Sequence, residues 1–79
     1  MEQQKDLYTG NRWDAGDSGC GQLAVGLQRE VAALRCGDSL TVIARNAGAP
    51  ADVPAWCRIT GHILTSVAHP VYVIQKNRD

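Results

Sequence analysis

Trp13-Asp14-Ala15-Gly16-Asp17-Ser18-Gly19-Cys20-Gly21-Gln22-Leu23 reads as a strand that turns into a helix, with a cysteine at the junction. Arg12 to Ala15 is a short first strand, and Gly16, Asp17, Ser18 and Gly19 form the loop that follows. Asp17 or Ser18 can accept hydrogen bonds from the first amides of the next helix. Cys20 therefore falls at or beside the helix cap, where unpaired backbone amides carry partial positive charge. That charge favours thiolate over thiol and makes the sulfur nucleophilic. On position alone the competing reading is a small buried hydrophobe, the commoner fate of a lone cysteine.

Downstream, from Gly21 to about Cys36, Leu23, Leu27, Val31 and Leu34 recur at intervals of four, four and three, the stripe of an amphipathic helix. Gly26 weakens this helix by about 1 kcal/mol relative to alanine but permits close packing on a sheet. Gly37 stands where a left-handed cap would end it. Leu40 to Arg45 is rich in β-branched residues and short enough to be a covered strand, so the first three elements make a parallel βαβ unit. After a loop over Asn46 to Pro50, Val53, Trp56, Cys57 and Thr60 fall at i, i+3, i+4 and i+7, a second and shorter helix stopped by Gly61. Its first turn is expected to be irregular, because Pro50 and Pro54 suit only the start of a helix. Trp56 is read as a core anchor. Ile63 to Ala68 and Val71 to Lys76 alternate on either side of His69-Pro70 and form a closing hairpin.

The resulting order, βαβαββ, places the chain in the α/β class, as an α+β two-layer sandwich. It has a mixed four-stranded sheet and two helices on one face. Residues 1–11 show no sustained period and are read as a loose leader; residues 12–79 are then a single domain. A chain of 79 residues buries only about 60% of the surface that its unfolded form exposes, which leaves room for one modest core.

Eight acidic and eight basic residues cancel, and the basic ones are scattered, which argues against a dedicated nucleic-acid binder. Only Tyr8, Trp13, Trp56 and Tyr72 could stack on bases. The opening run is polar and nothing downstream is apolar for long enough to span a bilayer, so a cytoplasmic location is expected. Cys20, Cys36 and Cys57 are odd in number and lie sixteen and twenty-one positions apart, which fits neither a disulfide framework nor the close pairs of a zinc site. They are read as free thiols. His62 and His69 have no spacing that predicts a metal site.

The residues from Trp13 to Lys76 resemble the TusA/SirA family of small sulfurtransferase-like proteins. That family carries a Leu-Asp-x-x-Gly-x-x-Cys-Pro-x-Pro signature, a helix, a Pro-Gly turn, an apolar strand, an Asp-Ile-Pro-x-x-Cys segment and a final hairpin. Here Asp14 and Cys20 keep the separation of the signature, Gly37 stands at the turn, and Asp52-Val53-Pro54-Ala55-Trp56-Cys57 matches the later segment without a gap. Trp13 replaces the usual leucine, Asp17 stands at the signature glycine, and Gly21 and Leu23 stand at its two prolines. The missing prolines would leave the first helical turn less firmly set. Asp17 would disfavour a nearby thiolate, and Arg12 would offset it if the fold brings them together.

The resemblance implies the same two-layer fold and a sulfurtransferase activity in which Cys20 accepts sulfur as a persulfide and passes it to a partner protein. Asp14, Asp17, Ser18, Gly19 and Gly21 support the site, and Cys57 is a possible second thiol. No metal or other cofactor is implied. The partners would be a sulfur donor such as a cysteine desulfurase and a thiol-bearing acceptor protein, with no membrane or nucleic acid and the chain acting as a monomer. The alternatives are a non-catalytic family member that keeps a docking or regulatory surface, and a nucleic-acid-binding module.

Overall fold

The computed structural model describes residues 10–77. β1 (Gly10–Gly16) runs parallel to β2 (Ser39–Ala44), and α1 (Cys20–Ala32) connects them. After α2 (Ala49–Thr60), β3 (Ile63–Ala68) and β4 (Val71–Gln75) form an antiparallel hairpin, and β4 inserts beside β2 to give the order β1-β2-β4-β3. This is the expected βαβαββ architecture with a mixed four-stranded sheet.

Alternation along the strands decides which side is dry. Leu40, Val42 and Ala44 of β2 and Tyr72 and Ile74 of β4 point to one face. There they pack with Leu23, Leu27 and Val31 of α1 and with Ala49, Val53 and Cys57 of α2. Both helices therefore cover one face. The other carries Thr41, Ile43, Val71, Val73 and Ser66 in register, and Val71 on it is exposed.

Element boundaries differ from the sequence reading: β2 spans Ser39–Ala44 and β4 ends at Gln75, each a shift of one residue, and the other differences have local reasons. The expected leader takes in residues 10 and 11, yet Gly10 and Asn11 pair with Ser39 and Leu40 and extend β1; residues 1–9, including Tyr8, lie outside the described residues. β1 also runs on to Gly16, where the register skips a residue and φ is +60°, a left-handed value that glycine alone adopts freely.

α1 stops at Ala32, not at Cys36. The amides of Ala33 and Leu34 donate to the carbonyls of Glu30 and Val31, a tightened last turn that still delivers Leu34 to the core. Gly37 has φ +96° but lies in the loop beyond, where its amide donates 2.7 Å to the Lys76 carbonyl. The carbonyls at and just beyond the end of α1, those of Ala32 and Leu34, are satisfied instead by Lys76, just past β4. The residue is only 7% exposed, and its ammonium donates to Leu34 O at 2.7 Å and to Ala32 O at 3.4 Å.

α2 begins at Ala49, so Pro50 occupies the first turn and its missing amide costs nothing. Pro54 is accommodated inside the helix without ending it. Gly61 closes α2 in the left-handed conformation, and its amide donates to the Cys57 carbonyl at 2.9 Å.

Candidate functional site

Cys20 is the first residue of α1, and its side chain is exposed. It stands at the end of the sheet where parallel β1 and β2 both finish, the usual place for a site in a βαβ arrangement. The first intrahelical bond runs from the Leu23 amide to the Gly19 carbonyl, 2.8 Å. The amides of Cys20, Gly21 and Gln22 therefore have no acceptor within the helix.

Side-chain capping by Asp17 or Ser18 does not occur. Gly19 is the N-cap and no side chain bonds to the amides it precedes. The Ser18 hydroxyl donates backwards to the Ala15 carbonyl at 2.7 Å, closing the turn out of β1. No side chain, carboxylate or hydroxyl, caps the open helix end.

Asp14 is held in an ion pair that the sequence did not reveal. The Arg45 guanidinium donates to both of its carboxylate oxygens, at 2.9 and 3.2 Å, and the Gly16 amide donates to one of them at 2.9 Å. Arg45, then the Gly16 amide, hold the Asp14 carboxyl below its ordinary value. The Arg45 amide donates to the Gly16 carbonyl at 2.8 Å, and Asn46 Nδ2 donates to the Asp17 carbonyl at 3.3 Å. The residues that follow β2 thus hold the loop that delivers Cys20.

The departures from the signature have structural counterparts. Asp17 is exposed and does not adopt a positive φ; the left-handed position falls one residue earlier, on Gly16, so a side chain at 17 brings no strain. Leu23 is 2% exposed in the core, and its amide makes the first helical bond, so proline there would remove both. Trp13 packs its ring against α1 at Gly26, where a Cβ would sit inside contact distance of ring atoms Cη2 and Cζ2. The glycine answers the tryptophan.

Cys57 is not brought to the site. It lies 4% exposed among core residues, and burial pushes its thiol up to about 11, so it is a poor candidate for the second thiol. Cys36 is exposed in the turn beyond α1, at the other end of that helix from Cys20. Trp56 is half-buried rather than a full core anchor. It stacks on His62 with ring centroids 5.5 Å apart and packs one side on the core. Tyr72 is fully buried, with its hydroxyl against His69, and so is unavailable for stacking on bases. Among the described residues no group of three metal-ligating side chains converges, and no helix there is long and apolar enough to cross a membrane.

Beside Cys20 a groove of about 150 Å³ runs between the helices, lined by Leu23 and Leu27 of α1 and by Asp52, Ala55, Trp56 and Ile59 of α2. Ile59 went unnoticed in the sequence because it lies off the Val53, Trp56, Cys57 and Thr60 stripe. An apolar residue off the core-facing stripe was itself the signal.

Fold and site together define a small two-layer α+β domain that presents an exposed thiol on the first residue of its first helix. The family model described as Sulfurtransferase TusA matches residues 12–76, and the chain belongs to that family. It is also similar to two proteins of Neisseria meningitidis, one from a serogroup A strain and one from a serogroup B strain. Their printed names are "Putative sulfur carrier protein NMA0882" and "Putative sulfur carrier protein NMB0681". Each is 49% identical over 37 residues, a match that spans 47% of this chain and 50% of the relative.

Proposed function

We propose that the protein is a sulfur carrier in which Cys20 holds sulfur as a persulfide between two protein partners. The observation that carries this reading is the placement of Cys20, exposed on the first turn of α1 within the stretch that matches its family. In the first transfer the Cys20 thiolate attacks the outer sulfur of a donor persulfide, such as that of a cysteine desulfurase. The donor S–S bond breaks, the Cys20 Sγ–S bond forms, and the donor cysteine leaves as thiolate. In the second, a thiolate of the acceptor protein attacks the outer sulfur and Cys20 leaves. No redox partner is consumed in either step. Exposed free thiols at Cys20 and Cys36 suit a reducing compartment, and we place the protein in the cytoplasm.

The test is incubation with a cysteine desulfurase and cysteine, followed by intact-mass analysis. The wild type should gain the mass of one sulfur, reversibly on adding reductant, and so should Cys36→Ser, whereas Cys20→Ser should not. Sulfur found on Cys57 alone would defeat the assignment. A second reading, a docking module without transfer chemistry, is favoured by one feature. The helix end at Cys20 lacks both signature prolines and any side-chain cap. Failure of the wild type to gain sulfur would move the conclusion there.

A further inference from the structure

The groove beside Cys20 encloses about 150 Å³, well short of the roughly 300–1,000 Å³ of sites that hold a small molecule or cofactor. It has the size of a slot for one side chain. Its walls are aliphatic or aromatic apart from Cys20 and Asp52. Ile59 on its rim is 83% exposed, a large apolar group that the fold leaves uncovered at the place where a partner must approach the sulfur. Among the described residues Arg45 neutralises Asp14, whereas no ion pair holds Asp52 or Asp17. The groove beside the thiol is therefore apolar with one carboxylate, Asp52, that no ion pair holds, and its complement is apolar with positive charge.

We propose that the groove between α1 and α2 receives an apolar side chain adjacent to the reactive cysteine of the partner protein, with a lysine or arginine of the same segment facing Asp52. The proposal rests on the reading of Cys20 as the sulfur-exchanging thiol and adds the chemistry by which its partners are recognised. A segment seated against Leu23, Trp56 and Ile59 holds its own cysteine beside Cys20, because Cys20 lines the same slot. Docking and transfer then share a single surface.

Thiol-disulfide exchange with short synthetic peptides tests this in the Cys36→Ser background, where Cys20 is the one exposed thiol. Each peptide carries its cysteine as a mixed disulfide with 5-thio-2-nitrobenzoate. Attack by the Cys20 thiolate breaks that bond, forms the disulfide between protein and peptide, and releases the coloured thiolate. One peptide has leucine and arginine beside the cysteine, a second glycine and arginine, a third leucine and glutamate. The first should react about tenfold or more faster than the second, since moving a leucine side chain from water into an apolar slot shifts an equilibrium by about one to two decades. It should also outpace the third. Ile59→Ser should erase the preference for leucine and Asp52→Asn the preference for arginine. Alkylation of Cys20 by neutral iodoacetamide should not slow in either variant, because a small reagent needs no docking and removing the Asp52 charge can only favour the thiolate.

Equal rates for the three peptides, or a leucine preference that survives Ile59→Ser, would overturn the slot. So would a parallel loss in the iodoacetamide rate, which would show that the substitutions act on the thiol itself. Sulfur gain from the desulfurase without peptide preference removes the slot and keeps the carrier; peptide preference without sulfur gain does the reverse.

Discussion

Burial divides the three cysteines by what they can do. Cys20 and Cys36 meet solvent, whereas Cys57 sits among Val53, Tyr72 and other core residues with its thiol pushed up to about 11 from a starting value of 9.0. In that interval the native state keeps a proton that the unfolded chain has lost, so stability should fall as pH rises from about 9 to about 11 and level off above it. The drop is up to about 3 kcal/mol. Burial of the Tyr72 hydroxyl also raises its value and adds slope in the same direction, so the difference between wild type and Cys57→Ala is the informative quantity. Urea unfolding at several pH values should give curves for the two proteins that converge as pH rises through the window. Parallel curves would mean that Cys57 is not held as a buried thiol.

Of the residues around the site, the position of Cys20 was legible because a helix stripe begins next to it and glycines flank it. The partner of Asp14 was not. Arg45 lies 31 residues away, and no local rule pairs a residue at the end of one strand with one just past the end of its parallel neighbour. Ser18 misled for the opposite reason. Its type suits a cap, but its hydroxyl is taken by the carbonyl of Ala15 in the turn that leaves β1.

At the scale of elements, the packing of β1 on α1 turns on two residues chosen together. The Trp13 ring occupies the space that a Cβ at position 26 would need. Gly26→Ala should gain up to about 1 kcal/mol of helix propensity yet lose about 1–3 kcal/mol to overpacking, for net destabilisation. Adding Trp13→Leu should relieve the clash, leaving the double variant more stable than Trp13→Leu and Gly26→Ala would predict by simple addition. Denaturant unfolding of the four proteins in the cycle measures the coupling. A Gly26→Ala variant more stable than wild type would show that the ring does not sit there.

Element type and order followed from periodicity, since stripes of leucine and valine and runs of β-branched residues carry that information. Element ends did not. Leu34 extends the stripe of α1 because a tightened turn places its side chain much as a further helical turn would. The residue that satisfies the end of α1, Lys76, is 42 positions from the Leu34 carbonyl it binds. In the sequence it looked like the last residue of a strand.

Across the whole molecule the two ends of the sheet are built differently, and the difference bears on function. At the end away from Cys20, residues 75–77 bind both connections. The Gly37 amide donates to the Lys76 carbonyl, the Lys76 amide to Asp38, Gln75 Nε2 to Gly37, and Asn77 to Gly61 and to His62 Nδ1. The buried Lys76 ammonium ties the same segment to α1. At the thiol end, Gly19, Cys20 and Gly21 are exposed, uncapped and free of intrahelical acceptors. Beyond the Ser18 turn and the Leu23 bond to the Gly19 carbonyl, their restraints are the Arg45 and Asn46 contacts to residues 14–17. Local opening should therefore be cheap at one end and as costly as global unfolding at the other. In native-state hydrogen exchange, the amides of Cys20 and Gly21 should exchange with little or no protection. Those of Gly37 and Lys76 should exchange only at the free energy of global unfolding, and so follow denaturant in the same way as core amides of β2 such as Val42. Arg45→Ala should lower protection further across Gly16 to Ser18 and leave Gly37 unchanged relative to global stability. Equal protection at the two ends would contradict this polarity. Under the proposed carrier role, in which the thiol meets two partner proteins in turn, a mobile mount would serve the exchange, and the strap at Lys76 would let the thiol end stay soft without loosening the core.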